Sequence, residues 1–392
     1  MKRALLKRII TRDVFISGVL VILTMACSGP GGQGSSGPVI FFAGSSDRNL
    51  KNSIFLCELD TVIPAIIVID SFPANGGSGY IDLSPCKHTL FATSRAGTKG
   101  EAGSDAVAAF RVNQNDHTLE LINRQSSQGT GICHVRSSPS GNYVFAANYT
   151  SGHVAALPVG ESGRLGSATS VVKGEGSGPV KSRQEGPHAH QAMMDPGGKY
   201  LLVPDLGTDK VMNYAFNCAQ GILTPNRHQP FLKMDPGSGP RHLAFHPSGE
   251  FVFILGEMSA TLTACSYKAE SGVLSIINTA SIVEEGFQGK RQSAAVRVHP
   301  NGKFIYASNR DSVSNLAVFK MNGQDGIERI QILDRVPYWP RDFNITPDGT
   351  FLLVAGARSN EISIYKLDPQ RGLLTGTGVK TIIPGITSIV FL

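Results

Sequence analysis

One short pattern returns along this chain and leaves few folds open to it. An apolar pair leads into a Pro-x-Gly turn, and a Tyr/Phe-apolar run follows. It occurs as RSSPSGNYVFAAN (136–148), MMDPGGKYLLVPD (193–205), AFHPSGEFVFILG (244–256), RVHPNGKFIYASN (297–309) and NITPDGTFLLVAG (344–356). A weaker copy is DLSPCKHTLFATS (82–94). The prolines stand at 85, 139, 196, 247, 300 and 347, between 47 and 57 residues apart. Each copy reads as a β-hairpin: one strand before the proline, the turn, then an apolar second strand. A third strand follows in several copies, at 152–159, 209–216, 260–267, 314–321 and 360–367. A weaker fourth closes the unit, as in GLLTGTGVKTI (372–382). Four short antiparallel strands in a unit of about 50 residues are the signature of a β-propeller blade.

Residues 39–392 number 354, which is close to seven such units. Six are marked by the turn. The seventh is predicted to be composite, with outer strands from VIFFAG (39–44) and NSIFLCEL (52–59) and its inner strand from TSIVFL (387–392). Joining the two ends of the chain in one blade removes an exposed sheet edge. The expected fold class is therefore all-β: a seven-bladed β-propeller of four-stranded antiparallel blades, closed by the N- and C-terminal strands. No long segment with a 3.6-residue apolar period supports a helical or doubly wound alternative.

The N-terminus has a different character. Basic residues precede an apolar run of 13 residues from Val14 to Ala26. Spanning a bilayer takes about 20, so this length suits the core of a signal peptide. The run ends in Met25-Ala26-Cys27, followed by SGPGGQGSSGP. A small residue before a cysteine and a Gly/Ser tether resemble a bacterial lipoprotein signal, with Cys27 as the acylated residue. Simple secretion and an uncleaved anchor are the alternatives. The expected organisation is a signal peptide at 1–27, a tether at 28–38 and a propeller at 39–392. The protein is expected to be exported, periplasmic or at the cell surface, and to meet a membrane only through its lipid.

The formal net charge of +6 follows from that segment. Beyond residue 27 there are 31 Lys and Arg against 29 Asp and Glu, a net of +2. With one Trp and 7% aromatic residues, this gives no basis for nucleic-acid binding. Hydrophobic residues at 41% and charged residues at 17% exclude a disordered chain and a polytopic membrane protein. Past Cys27 the cysteines are Cys57, Cys86, Cys133, Cys218 and Cys265, an odd number without a C-x-x-C pair. Neither a zinc site nor a full disulfide framework is indicated, and most of them read as small buried apolar groups. A single disulfide stays open. A monomer is expected.

The repeat register carries the functional reading. In an antiparallel hairpin, the start of the first strand and the end of the second lie at the same end. In a propeller the first strand lines the central channel, so polar residues at those two places ring one mouth. Six positions before each proline stand Gly79, Cys133, His190, Arg241, Ala294 and Arg341. Ten positions after stand Arg95, Tyr149, Leu206, Glu257, Arg310 and Ala357. His190, Arg241, Arg341, Glu257 and Arg310 are thus expected on one rim. Arginines suit bidentate capture of carboxylate or phosphate and stabilise a developing oxyanion. Glu257 and His190 form a plausible acid–base pair. The alternative is that these charges pair with one another and merely plug a polar channel. No cluster of acidic ligands marks a calcium or zinc site, and no G-x-S-x-G or phosphate-binding P-loop occurs, so neither cofactor nor metal is expected.

Several other residues take structural readings. His246 and His299 precede turn prolines. His242 follows Arg241 and by strand alternation should face away from the channel, between blades. Asp205 reads as a turn cap. The stretches GGSG (76–79), GEGSGP (174–179) and GSGP (237–240) read as loops at the channel mouth rather than phosphate cradles.

At this point the residues GPHAHQ (186–191), VPDLGTDKV (203–211), GSGPRHLAFHPSGEFVF (237–253), ASNR (307–310) and WPRDFNITPDGTFLLVAG (339–356) can be taken together. They resemble the lactonase seven-bladed propeller family, which includes propeller-type 6-phosphogluconolactonases and fungal 3-carboxymuconate cyclases. The resemblance spans 39–392. It implies catalytic roles for His190, Arg241, Glu257 and Arg310, and matches Arg341 to the Arg of a PR-x-F segment. His188, the other half of HAH, is an additional candidate for substrate binding. An export signal departs from the family pattern. The expected activity is hydrolysis of a sugar-acid lactone by general acid/base catalysis, on a small anionic substrate. A muconate-type cycloisomerase and a non-catalytic propeller that binds a protein or glycan are the rivals.

Overall fold

The computed structural model describes residues 37–392, apart from 75, 96–104, 312 and 313. The signal peptide, Cys27 and most of the tether lie outside the described residues. Six blades follow one another as hairpin-connected sheets at 81–126, 132–173, 193–233, 240–281, 293–334 and 340–382. Each runs outward from an inner strand in chain order. The third blade adds a short strand, Phe231–Lys233, that pairs with Lys210–Asn217 beside Ile222–Pro225. The seventh blade is composite, as expected. Ile386–Phe391 supplies its inner strand and pairs antiparallel with Val39–Ser45, setting Phe391 opposite Phe41. Ile54–Asp60 and Ala65–Phe72 complete that blade. Among the described residues there is no α-helix, only two 3-10 turns at Glu161–Gly163 and Gly323–Asp325.

The second strand of each hairpin is buried along most of its length, and along all of it in Phe251–Gly256 and Phe351–Gly356. The reason is that both faces of a blade meet a neighbour. Alternate residues of Phe251–Gly256 enter different cores. Phe253 and Leu255 pack with Val296 and Ile305 of the fifth blade, while Val252 and Ile254 pack with Leu202 and Val211 of the third. Seven such clusters occur among the described residues, each between two neighbouring blades. An apolar side chain sealed there contributes about 1.5–3 kcal/mol. The ring is held by the sum of equivalent interfaces rather than by one central core.

The inner strands carry a repeated irregularity that positions the site. Pairing between first and second strands shifts by one residue between Ile132 and His134, Pro240 and His242, and Pro340 and Asp342. Cys133, Arg241 and Arg341 are the extra residues. A bulge sets two residues against one and re-aims side chains. As a result, the simple alternation rule fails for His242. Its ring lies 5.8 Å from His134, 5.4 Å from His190 and 6.1 Å from Tyr80. A side chain of the fourth blade that touches the first, second and third sits on the channel axis, not between blades.

Two cavities lie at opposite ends of that axis. The larger, about 660 Å³, is rimmed by Pro85, Pro139, Pro196, Pro247 and Pro347, so it marks the turn end. Its buried acids are paired, Asp82 with Arg136 at 3.2 Å and Asp342 with Arg297 at 2.6 Å. The other cavity contains the unusual chemistry.

Candidate active site

The second cavity, about 500 Å³, is lined by Cys133, His190, Arg241 and Arg341 from the starts of inner strands. Arg95, Tyr149, Glu257 and Arg310 reach it from the ends of second strands. Arg48, Asp105 and Arg183 join them from outside the repeat register. Glu257, His190, Arg241, Arg310 and Arg341 are therefore brought together at one mouth. His190, Arg241, Glu257 and Arg310 are each no more than 4% exposed, so their charges act on one another with little screening.

Glu257 is the centre of the arrangement. Its Oε2 accepts a hydrogen bond from Arg241 Nη1 at 2.6 Å and forms an ion pair with Arg310 Nη2 at 2.8 Å. Its Oε1 accepts from Arg183 Nη2 at 2.7 Å. Burial by itself would raise the pKa of this carboxyl. The surrounding Arg310 and Arg241 guanidiniums outweigh it and hold Glu257 well below the usual carboxylate range. Arg241 and Arg310 are also fixed from behind. Arg241 Nε donates to the Ala294 carbonyl at 2.8 Å, and Arg310 donates to the carbonyls of Gln292 and Ser293 at 2.9 and 3.1 Å. These bonds leave Arg241 Nη2 and Arg310 Nη1 without a protein partner among the described residues. They are the donors available to a ligand.

His190 faces the same pair. Arg241 Nη1 lies 2.5 Å from His190 Nε2. A guanidinium can only donate, so Nε2 is the acceptor and the ring proton sits on Nδ1, 3.8 Å from Cys133 Sγ. Burial and the nearby Arg241 charge keep the imidazole well below its ordinary range, hence neutral. Arg341 differs from the others. It makes no hydrogen bond or ion pair with the described residues, and burial together with Arg241 draws it down to about 10. The cavity thus holds six guanidiniums against the carboxylates of Glu257 and Asp105. Asp105 Oδ2 is already bound by the backbone N–H groups of Gly131 and Ile132. Mutual pairing therefore accounts for only part of the charge, and the cavity keeps a marked cationic excess.

His188 does not line the cavity. It stacks on Tyr149 with ring centroids 4.5 Å apart, donates from Nδ1 to the Tyr149 carbonyl at 2.9 Å, and sets Nε2 3.2 Å from Glu185. Any influence it has on a ligand runs through Tyr149. Asp205 is a cap, as expected, accepting from the N–H groups of His188 and Gly207 at 2.7 and 3.0 Å. The cysteines are less uniform than expected. Cys57 and Cys265 are buried and pushed up to about 12, Cys133 is half-buried at the site, and Cys86 and Cys218 are exposed. All five are free thiols.

Arg183 is the main residue that the register misses. It lies in the connection between the second and third blades, where the repeat has no counterpart. Gln184 beside it is buried and donates from Nε2 to Leu206 O and Asp209 Oδ1, both at 2.8 Å. That anchor turns Arg183 back toward Glu257. Among the described residues, no group of three or more His, Cys, Asp or Glu side chains gathers in a metal-binding arrangement.

Comparison with known proteins agrees with this architecture. The chain matches the family described as "Lactonase, 7-bladed beta-propeller" over residues 41–391. It is 31% identical to the 6-phosphogluconolactonase of Bacillus subtilis, over 86% of this chain and 93% of that one. It is 28% identical to the 6-phosphogluconolactonase of Formosa agariphila, over 89% and 98% of the two chains. The solved structure of the periplasmic gluconolactonase of Pseudomonas aeruginosa superposes with a TM-score of 0.84 at 26% identity, covering 91% of this chain and 99% of that one. This chain belongs to the lactonase seven-bladed β-propeller family.

Proposed function

We propose that this protein hydrolyses the lactone of an anionic sugar acid, as a 6-phosphogluconolactonase does, by general acid/base catalysis without a metal. The observation that carries the reading is the ionised Glu257 clamped between Arg241 and Arg310, in a cationic cavity of about 500 Å³. In this mechanism the lactone carbonyl oxygen approaches Arg241 Nη2 and Arg310 Nη1. Water attacks the carbonyl carbon, and Glu257 takes its proton. The negative charge that grows on the carbonyl oxygen is held by two guanidiniums already fixed in place. Collapse breaks the ring C–O bond, and the departing alkoxide recovers the proton, leaving a hydroxy acid.

Oε1 is the basic atom in this scheme. Its partner Arg183 has a side chain 39% exposed, against 3% for Arg241 and 5% for Arg310. An incoming anion can draw Arg183 away and free Oε1, whereas Oε2 stays clamped. His190 serves as a positioning residue, because its Nε2 lone pair is engaged by Arg241. His188 supports Tyr149, and Arg341 binds substrate. The same protonation states weigh against the cycloisomerase alternative, which must deliver a proton to carbon. Glu257 is ionised, and the His190 proton faces Cys133.

The test is a panel of δ-lactones and a muconate, corrected for spontaneous hydrolysis, with Glu257→Gln alongside. Lactone turnover is expected, and the variant should lose about 10³-fold or more in kcat. Glu257 neutralises three arginines, so the substitution should also cost about 3–5 kcal/mol of stability. The assay therefore belongs below the variant's own melting temperature, with circular dichroism as the check on folding. Full activity in the folded variant would remove Glu257 as the base. Turnover of the muconate in place of the lactones would favour the lyase.

We further propose that the chain is exported, with a signal peptide at 1–27 and a lipid anchor on Cys27, and works as a monomer. The periplasmic location of the Pseudomonas aeruginosa protein supports export.

A further inference from the structure

The outer hairpin of the seventh blade carries a surface with no part in the site. Its stretch TVIPAIIVI, residues 61–69, has nine residues without a charge, between Asp60 and Asp70. Val62 and Ile63 lie in the turn of that hairpin and are 74% and 75% exposed. Ile67, Val68 and Ile69 of the outermost strand Ala65–Phe72 are exposed as well. Single exposed apolar residues are ordinary, but a run of them marks a contact surface.

The turn is held in a shape suited to an apolar medium. Asp60 Oδ1 accepts from the N–H groups of Val62 and Ile63 at 2.8 and 3.0 Å. Pro64 follows and has no N–H to satisfy. Three successive residues therefore bring no unsatisfied donor with them, which a segment entering lipid requires.

The strand behind the turn favours a bilayer over a second protein. Ala65–Phe72 is the outer edge of its sheet. A bulge against Leu56 and Cys57 leaves Ile69 without an opposite residue. A bulged edge is a poor template for adding another strand. Exposure at three consecutive residues also puts apolar groups on both sides of the strand, whereas a protein interface would take one side.

The course of the chain brings a membrane within reach. Val39 pairs opposite Leu59, and Leu59 opposite Ile66, so the chain enters this blade one strand away from the apolar edge. Residues 28–38 are the only ones between Val39 and Cys27, and they span at most roughly 40 Å. Val39 also lies toward the turn end of the ring. Phe41, two residues on, pairs with Phe391, which lines the turn-end cavity.

We propose that Val62 and Ile63, with the exposed edge behind them, dock into the interfacial layer of a lipid bilayer, turning the cationic mouth toward solvent. This contact is additional to the lipid expected on Cys27. It takes its setting from the anchored reading of the N-terminus, and two weak membrane signals together give firmer attachment than either alone.

The described strands all lie within 39–392, and the ring closes through Ile386–Phe391 on Val39–Ser45. A chain begun at Ser28 therefore keeps the fold and lacks the lipid. Its flotation with vesicles of phosphatidylcholine, and of phosphatidylethanolamine with added phosphatidylglycerol, reads the docking directly. Binding to both is expected, and high salt should leave it unchanged, because the contact is apolar. The double variant Val62→Asp/Ile63→Asp should bind at least about tenfold less, with an unchanged melting temperature as the check on folding. In Ile63→Trp, vesicles should shift the emission to the blue, and brominated lipid should quench it. Lactone turnover should be the same with and without vesicles; inhibition by them would overturn the orientation. Failure to float with either vesicle would overturn the docking. Dimers abolished by the double variant, without vesicle binding, would assign the patch to a second copy and overturn it too. The anchor is tested separately, by fractionating cells that export the full chain or Cys27→Ser. An identical distribution of the two would remove the lipid and leave vesicle docking standing.

Discussion

His242 shows how much a single buried side chain can carry. It is 2% exposed on the channel axis, and neither ring nitrogen has a hydrogen-bond partner among the described residues. Burial first, and then the charge of Arg241, keep its imidazole well below the ordinary range; His190, His134 and Arg297 act in the same direction. The sign of the consequence follows from linkage. The unfolded chain binds a proton at His242 near pH 6.5, and the folded chain refuses it. Stability from this group is present in full above that pH and is lost as pH falls from there through the folded value. One such group contributes a slope of about 1.4 kcal/mol per pH unit. Replacing it by Phe removes the titration and a desolvated polar ring. We expect the melting temperature of His242→Phe to fall less than that of the natural chain between pH 8 and pH 5. Thermal melts across that range check it, and parallel curves would refute it. Sequence register could place Arg241 on the rim. It could not place His242, because a bulge has no residue signature here and alternation points the wrong way.

At the scale of the element, the Pro-x-Gly turn does more than reverse the chain. Gly302 and Gly349 both have φ of +75°, where a side chain is strained. Each also lies against the preceding blade. His246 Nε2 donates to the Gly302 carbonyl at 2.9 Å, and His299 Nε2 donates to that of Gly349 at 3.0 Å. The histidine before one turn proline thereby ties its blade to the next turn. A Cβ at Gly302 would sit 2.5 Å from His246 Nε2. Gly302→Ala should cost about 1–3 kcal/mol, part backbone strain and part collision. Adding His246→Ala relieves the collision, so the double variant should be less destabilised than the sum of the single ones. Denaturant unfolding of the four chains measures this, and strict additivity would show that the contact is unimportant. The hairpins themselves were legible in the sequence, because proline, glycine and an apolar run are local signals. The bonds between successive turns were not, since each joins residues about 50 positions apart.

For the whole molecule, closure is the decisive feature. The strand Ile386–Phe391 pairs with Val39–Ser45, while Asn344 Nδ2 donates to the Ile389 carbonyl at 3.0 Å. It therefore binds the seventh blade to itself and to the sixth. Deleting residues 386–392 would expose the edge of Val39–Ser45 and strip the inner strand from one blade. We expect that truncated chain to lose cooperative thermal unfolding and to aggregate; a sharp melt within a few degrees of the full chain would contradict the account. Charge is also organised at this scale. Beyond residue 27 the net charge is only +2, yet one mouth alone gathers six guanidiniums against two carboxylates. The opposite mouth keeps its acids paired with arginines. A nearly balanced molecule thus presents a focused cationic opening at one end of its axis.

The amino-acid sequence by itself determined the architecture. A turn repeated about every 50 residues, with a partial unit at each end, has few packing solutions other than a closed ring. It also determined which positions meet at one mouth, because hairpin register is local arithmetic. Only the tertiary structure decided what those residues do to one another. The Arg183 contact comes from a connection outside the repeat, the extra residues in the inner strands turn neighbouring side chains to the same channel, and Trp339 faces cations from two blades. Each depends on through-space distance between segments far apart in the chain, and on the burial that lets charges act at full strength. Neither quantity exists until the ring has closed.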